Sequence, residues 1–273
     1  MPYYHFDLMG LLIKKDKFKF SSSDIQCILR SVTQQLGDLH SRGLVHRDIK
    51  SSNVFLNRNG SAALGDFGHT LTEQQSVGNF RCGTKPFMAP EMIEGRLRQE
   101  KGLEIATVCS QASDIWSLGC VLAHMIMGIA IFRPSSKQAD ILSIFFCLFP
   151  NDPALKGLKQ FSNLQSIANF KKCNLKSLIE RFNPSVDESM KDLLCLMLSP
   201  DANSRPSCED ILNHKALRFD RISAEELLMS KLKGLGDTHE HQVKQRRYRN
   251  KQRSCTSSKG NLKSKKYIKR IRP

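Results

Sequence analysis

From Ile25 onward, apolar residues recur at helical spacing. Ile25, Ile28, Leu29, Val32, Leu36 and Leu39 form one stripe. Such a stripe predicts an amphipathic helix with one face against a core. Ser23 or Asp24 is the expected N-cap, because a short polar side chain there accepts from an otherwise unbonded first-turn N–H. Gly43 is the expected stop. The pattern then changes. Leu44 and Val45 lead into a polar run from His46 to Asn53. Val54-Phe55-Leu56 and Ala62-Ala63-Leu64 flank Asn59-Gly60, which predicts a short β-hairpin. Gly65 to Pro90 carries turn residues and little periodicity. An irregular stretch of that length inside a compact domain is a sign of function.

Helical patterning returns after Asp114. Ile115 to Phe132 contains no Asp, Glu, Lys or Arg, so hydropathy alone fits a membrane span. Ser117, Gly119, His124 and Gly128 interrupt it, and the expected state is a fully buried helix of a large core. Further on, Asp187 is placed to cap a helix whose apolar face is Met190, Leu193, Leu194, Met197 and Leu198. Ser207 and Asp210 have capping-box spacing for another.

Charge divides the chain. The formal net charge is +16, yet Val243 to Pro273 holds 13 Lys or Arg and no Asp or Glu. The first 242 residues are close to neutral. The expected organisation is a folded domain over 1–222 and a basic, disordered tail over 223–273. The nine cysteines include no Cys-x-x-Cys pair and no zinc spacing, which suits reduced thiols in an intracellular protein. Met1 leads into Tyr3, Tyr4 and His5 without the basic and apolar regions of a secretory signal.

The candidate chemistry lies in the irregular stretch and the loop before it. His46-Arg47-Asp48-Ile49-Lys50-Ser51-Ser52-Asn53 is followed by Asp66-Phe67-Gly68 and then by Ala89-Pro90-Glu91. In this order, with a hairpin between the first two, the three motifs resemble the catalytic loop, the metal-binding turn and the end of the activation segment of protein kinases. The resemblance covers about Tyr4 to Leu217. It implies an α+β protein-kinase-like fold, here a mainly helical C-terminal lobe with a small β-hairpin region. The implied activity is transfer of the ATP γ-phosphate to protein Ser/Thr hydroxyls. That reaction asks the protein mainly for positioning and charge neutralisation.

By the same resemblance Asp48 is the catalytic base and Lys50 stands beside the transferring phosphate. Asn53 and Asp66 are the Mg2+ ligands, consistent with the hard oxygen donors magnesium prefers. Lys two residues after the catalytic Asp is the serine/threonine pattern. Thr84 is expected to bond toward Asp48 and Lys50. Asp114 is expected to accept backbone hydrogen bonds from the catalytic loop, and Arg205 to pair with Glu91. Thr72 and Ser76 are the hydroxyls expected to take an activating phosphate, with Arg47 to pair it.

The branch of the family is read from other segments. Asp7-Leu8-Met9-Gly10-Leu11-Leu12 and Ile131-Phe132-Arg133-Pro134-Ser135-Ser136 resemble cyclin-dependent kinases of the transcription-elongation type. Cys82-Gly83-Thr84-Lys85-Pro86-Phe87-Met88 resembles mitotic or NIMA-related branches instead. The balance is toward a cyclin-dependent-kinase-like chain.

The family's small lobe supplies a Gly-rich loop and a strand Lys. No G-x-G-x-x-G occurs in the chain, so the N-terminal lobe is expected to be absent and ATP to bind weakly. A cyclin-like regulatory subunit is expected only if a small lobe exists. The alternative reading is a catalytically impaired lobe acting as a protein-interaction module. Lys244–Arg253 and Lys263–Arg272 form two basic clusters, read as a nuclear import signal for an import receptor. Nucleic acid is the weaker reading, since only Tyr248 and Tyr267 interleave as aromatics. The expected location is the nucleus or otherwise the cytoplasm, with no membrane.

Overall fold

A computed structural model describes residues 4–14, 18–80, 82–105, 109–132, 138–150, 152–161 and 174–235. The basic clusters and Arg133 to Ser136 of the branch-specific segment lie outside the described residues.

Among the described residues the helices are α1 (Leu8–Ile13), α2 (Ser22–His40), α3 (Glu73–Ser76), α4 (Pro90–Glu100), α5 (Gln111–Met127), α6 (Gln138–Leu148), α7 (Leu175–Phe182), α8 (Glu188–Met197), α9 (Cys208–Asn213) and α10 (Arg221–Lys233). The strands are β1 (Phe6–Asp7), β2 (Leu44–Val45), β3 (Val54–Leu56), β4 (Ala62–Leu64) and β5 (Leu71–Thr72). They form two small antiparallel sheets, β1-β3-β4 and β2-β5.

Helix α2 begins earlier than its pattern suggests. Ser21 is the N-cap, and Asp24 reaches back to the Ser21 N–H at 2.7 Å to complete a capping box. Asp24 is therefore the third helical residue and Ser23 the second. The stripe of Ile25, Ile28, Leu29, Val32 and Leu36 is buried. Each such side chain contributes roughly 1.5–3 kcal/mol relative to remaining exposed.

The central helix is α5. Every residue from Ser113 to Met127 is buried, which explains its membrane-like hydropathy. Among the described residues no helix is long and apolar enough to cross a membrane. Trp116 stacks on Phe132 at 5.9 Å and meets Phe145 edge-on at 5.6 Å. Helices α7 and α8 also pack against α5.

The boundary expected after residue 222 falls inside α10 (Arg221–Lys233). Asp220 caps that helix by accepting from Ile222 N at 3.2 Å. Ala224, Leu228 and Leu232, four residues apart, are buried, and the helix packs on α2. Lys231 Nζ lies 2.5 Å from Asp24 Oδ2, joining α10 to the cap of α2. Described structure thus continues to Leu235.

The stretch from Gly65 to Pro90 is not wholly irregular. It contains β5 and the single turn α3, capped by Thr72 with Gln75. Its later part is anchored by Phe80, which is fully buried. A Cβ on Gly95 of α4 would lie 2.6 Å from the Phe80 ring, so the residue must be glycine for α4 to seat against it. Gly95→Ala gains about 1 kcal/mol of helix propensity but overpacks a closed contact, at about 1–3 kcal/mol. The expected result is a lower urea midpoint at unchanged m-value. A raised midpoint would show that Phe80 yields freely.

Candidate active site

The hairpin builds the site. β3 and β4 pair with Val54 opposite Leu64. The loop before β3 and the turn after β4 therefore leave from the same end. Gly65 N donates to Asn53 O at 2.9 Å, and Gly65 O accepts from His46 Nε2 at 3.2 Å. Asp66 is thereby tethered to the catalytic loop through its neighbour. The β2–β5 pair sets Val45 opposite Leu71, which brings the activation segment alongside the same loop.

Four of the expected residues converge. Asp48 Oδ1 accepts from Thr84 Oγ1 at 2.8 Å, and Asp48 Oδ2 lies 2.5 Å from Lys50 Nζ. Lys50 Nζ also reaches Thr84 Oγ1 at 3.2 Å. Asn53 Nδ2 donates to the Asp48 carbonyl at 2.9 Å. Asp48 and Asn53 are buried, and Lys50 is partly exposed. Thr84 is held close by Gly83, whose φ of +85° suits glycine and whose Cβ would come 3.1 Å from the Arg47 carbonyl. Asp66 lies at the start of the short 3-10 turn Phe67–His69. It is exposed, in the left-handed region at φ +65°, a conformation that costs of order 1 kcal/mol for a non-glycine residue.

The scaffold contacts are equally specific. Asp114 Oδ2 accepts from His46 N at 2.7 Å, and Oδ1 from Arg47 N at 2.9 Å. Those two bonds fix the entry to the catalytic loop. They hold Arg47 at φ +71°, a left-handed value rare for a long side chain. His40 Nε2 makes a third contact with Asp114, at 3.0 Å. Glu91 and Arg205 pair in bidentate fashion at 2.7 and 2.8 Å. Ser113 Oγ donates to Glu91 Oε1 at 2.9 Å. Burial pushes His46 below the ordinary imidazole range, outweighing the nearby carboxylates of Asp114, Asp48 and Asp66. A neutral ring suits its packing against Phe67, with centroids 5.1 Å apart.

The two expected phosphate acceptors differ. Ser76 is fully buried, its hydroxyl donating to the carbonyls of Glu73 and Cys109 at 2.6 and 2.7 Å. Thr72 is partly exposed and caps α3. The Arg47 guanidinium is buried and donates to the carbonyls of His69 and Asn79, while its Nε has no partner. His40 was not foreseen from the sequence. The only local sign is a basic residue in the last turn of α2, a position that also suits the helix dipole.

Comparison with known proteins places this geometry. The chain is 29% identical over 199 residues to a probable cyclin-dependent serine/threonine-protein kinase of Dictyostelium discoideum, covering 71% of the chain and 29% of that relative. It is 27% identical over 254 residues to the CTD kinase subunit alpha of Schizosaccharomyces pombe, covering 90% and 40%. It is 28% identical over 200 residues to human cyclin-dependent kinase-like 2, covering 72% and 38%. The chain thus spans well under half the length of each of these relatives. The family model described as Protein kinase domain matches residues 1–217. That match gives no support to the expectation that the N-terminal lobe is absent, since it assigns the chain to the kinase domain from its first residue. With the three motifs, the hairpin between them and this match, the chain belongs to the protein kinase domain family, with cyclin-dependent and cyclin-dependent-like kinases among its relatives.

Proposed function

We propose that the protein carrying this chain is a serine/threonine kinase that transfers the γ-phosphate of ATP to hydroxyls of protein substrates. The observation that carries this reading is the Asp48 carboxylate, bonded on one oxygen by Thr84 and on the other by Lys50. A carboxylate so oriented is suited to take the proton of an incoming hydroxyl as the oxygen attacks phosphorus. Lys50, held beside it, is suited to neutralise charge on the transferring group. Thr84 bonds both side chains and so holds the segment before Lys85 against them.

Magnesium fits the remaining donors. The Asn53 amide nitrogen is engaged by the Asp48 carbonyl, which leaves its hard carbonyl oxygen as the ligand. Asp66 supplies one carboxylate. One or two carboxylates completed by substrate phosphates is how magnesium is usually bound. When bound, the ion would neutralise phosphate charge. The names of the relatives favour a cyclin-like regulatory subunit as partner.

Thr72 is the proposed activating phosphate acceptor, because Ser76 is closed off by packing. A phosphate there would answer the buried, incompletely bonded Arg47 guanidinium. Phosphatase treatment of the active protein is expected to lower its rate, and Thr72→Ala to abolish that sensitivity. An unchanged rate after complete dephosphorylation would contradict this assignment. The kinase reading itself is tested by following γ-labelled phosphate from ATP to a protein substrate, in the parent and in Asp48→Asn.

A further inference from the structure

We propose that Cys208 is a positioning residue for the catalytic loop, acting through the His40 ring on Asp114. Its kinetic consequence rests on the kinase reading above; its geometry does not.

Asp114 is 1% exposed and holds the amides of His46 and Arg47. An ionised carboxylate can only accept, so the His40 nitrogen 3.0 Å from Oδ2 must be the one carrying hydrogen. A neutral imidazole has one N–H. In the proposed arrangement the ring carries its one N–H on Nε2, which leaves Nδ1 as the acceptor, partly buried at the junction of α2 and α9. Cys208 Sγ lies 3.6 Å from that nitrogen. The thiol is a true donor here, because burial first, and the Asp114 carboxylate second, push its pKa up to about 12. The contacts therefore form a directed chain. Cys208 S–H donates to His40 Nδ1, and His40 Nε2–H donates to Asp114. Gln111 Nε2, donating to the His40 carbonyl at 2.9 Å, fixes the backbone end of the same residue.

Removing the thiol leaves a partly buried acceptor without its donor. The ring can answer by rotating or by taking a proton from solvent onto Nδ1. Either response changes the third bond on Asp114, and Asp114 sets the two amides immediately before Asp48. Burial alone would ask only for a small apolar side chain at position 208. The donor requirement separates the two roles.

The test uses the full chain with 15N-labelled histidine and labelled backbone amides, the His40 signal being assigned by its loss in His40→Gln. The parent is expected to show the Nε2–H tautomer. Cys208→Ala is expected to lose that signature and to shift the His46 and Arg47 amide resonances. Cys208→Ser, which keeps a donor, is expected to restore both. Unmoved His40 and loop resonances in Cys208→Ala would overturn the proposal, as would a serine variant no closer to the parent than alanine. In the active protein Cys208→Ala is expected to lower kcat about fivefold, a change of roughly one hydrogen bond's worth, with KM for ATP unchanged. An inactive parent would count against the kinase reading alone, because the spectra decide the role of Cys208 without it.

Discussion

Asp48→Asn is expected to lower phosphoryl transfer by about 10²–10⁴-fold, the usual worth of a positioned general base. The substitution removes the basic oxygen but keeps a planar side chain of the same size. The remaining amide oxygen still accepts from Thr84 or Lys50, which hold the aspartate in the parent. Stability should therefore change little, and the loss should appear in kcat rather than in ATP binding. A variant that retains parental kcat would remove Asp48 from the chemistry. A variant that loses only affinity would make it a binding residue. Lys50 and Thr84 sit one contact away, so their effects are not expected to add to that of Asp48.

The largest effect on stability is expected at Arg205. Its Nε donates to Ser199 O at 2.8 Å, and its two terminal nitrogens reach Glu91, Ala112 O and Pro200 O. Five bonds use all five N–H donors of a guanidinium. The plane also lies 5.1 Å over the Trp116 ring, adding a cation–π contact. Arg205→Ala leaves Glu91 largely buried without its cation and orphans three carbonyls. The expected cost is about 3–5 kcal/mol, against a total stability of about 5–15 kcal/mol for a typical domain. In a domain of this size that is a fall in Tm on the order of 10 °C. Arg205→Lys should recover only part of it, since an ammonium cannot reproduce the planar fork. Replacing both partners, Glu91→Gln with Arg205→Met, should cost less than Arg205→Ala, because no buried charge is then left alone. A double variant as unstable as the single would place the effect in packing rather than charge.

What could be read in the sequence was what local chemistry dictates. Asn59-Gly60 between two short apolar runs specifies a hairpin, but a two-residue turn there would pair Arg58 with Ser61. The observed register, with Val54 opposite Leu64 and Asn57 bonded to Ser61, closes a three-residue loop with Gly60 left-handed. The stripe from Ile25 to Leu36 specifies a helix and its buried face. The start of that helix was misplaced because Ser21 and Ser23 are equally good caps locally. The capping box with Asp24 decides between them, and Lys231, 207 positions on, supports the choice. The boundary expected after residue 222 cuts a helix for a related reason. Ala224, Leu228 and Leu232 form a stripe only one residue wide, which looks like a charged tail until α2 supplies the surface it covers.

The candidate site divides in the same way. Residues inside a motif carry their neighbours with them, so Asp48, Lys50 and Asn53 could be placed together from the resemblance of His46 to Asn53 to the kinase catalytic loop. Burial of Ser76 could not, because it depends on the carbonyl of Cys109 arriving from 33 positions away. The left-handed backbone of Arg47 is likewise imposed from outside, by the Asp114 carboxylate. The Cys208–His40 contact joins residues 168 apart and has no local pattern at all.

The most direct measurement is γ-phosphate transfer from ATP to serine or threonine of a protein substrate by the full-length protein, run beside Asp48→Asn. The account predicts transfer in the parent and a loss of at least about 10²-fold in the variant. Equal transfer by the two proteins, or none by a folded parent, would contradict it.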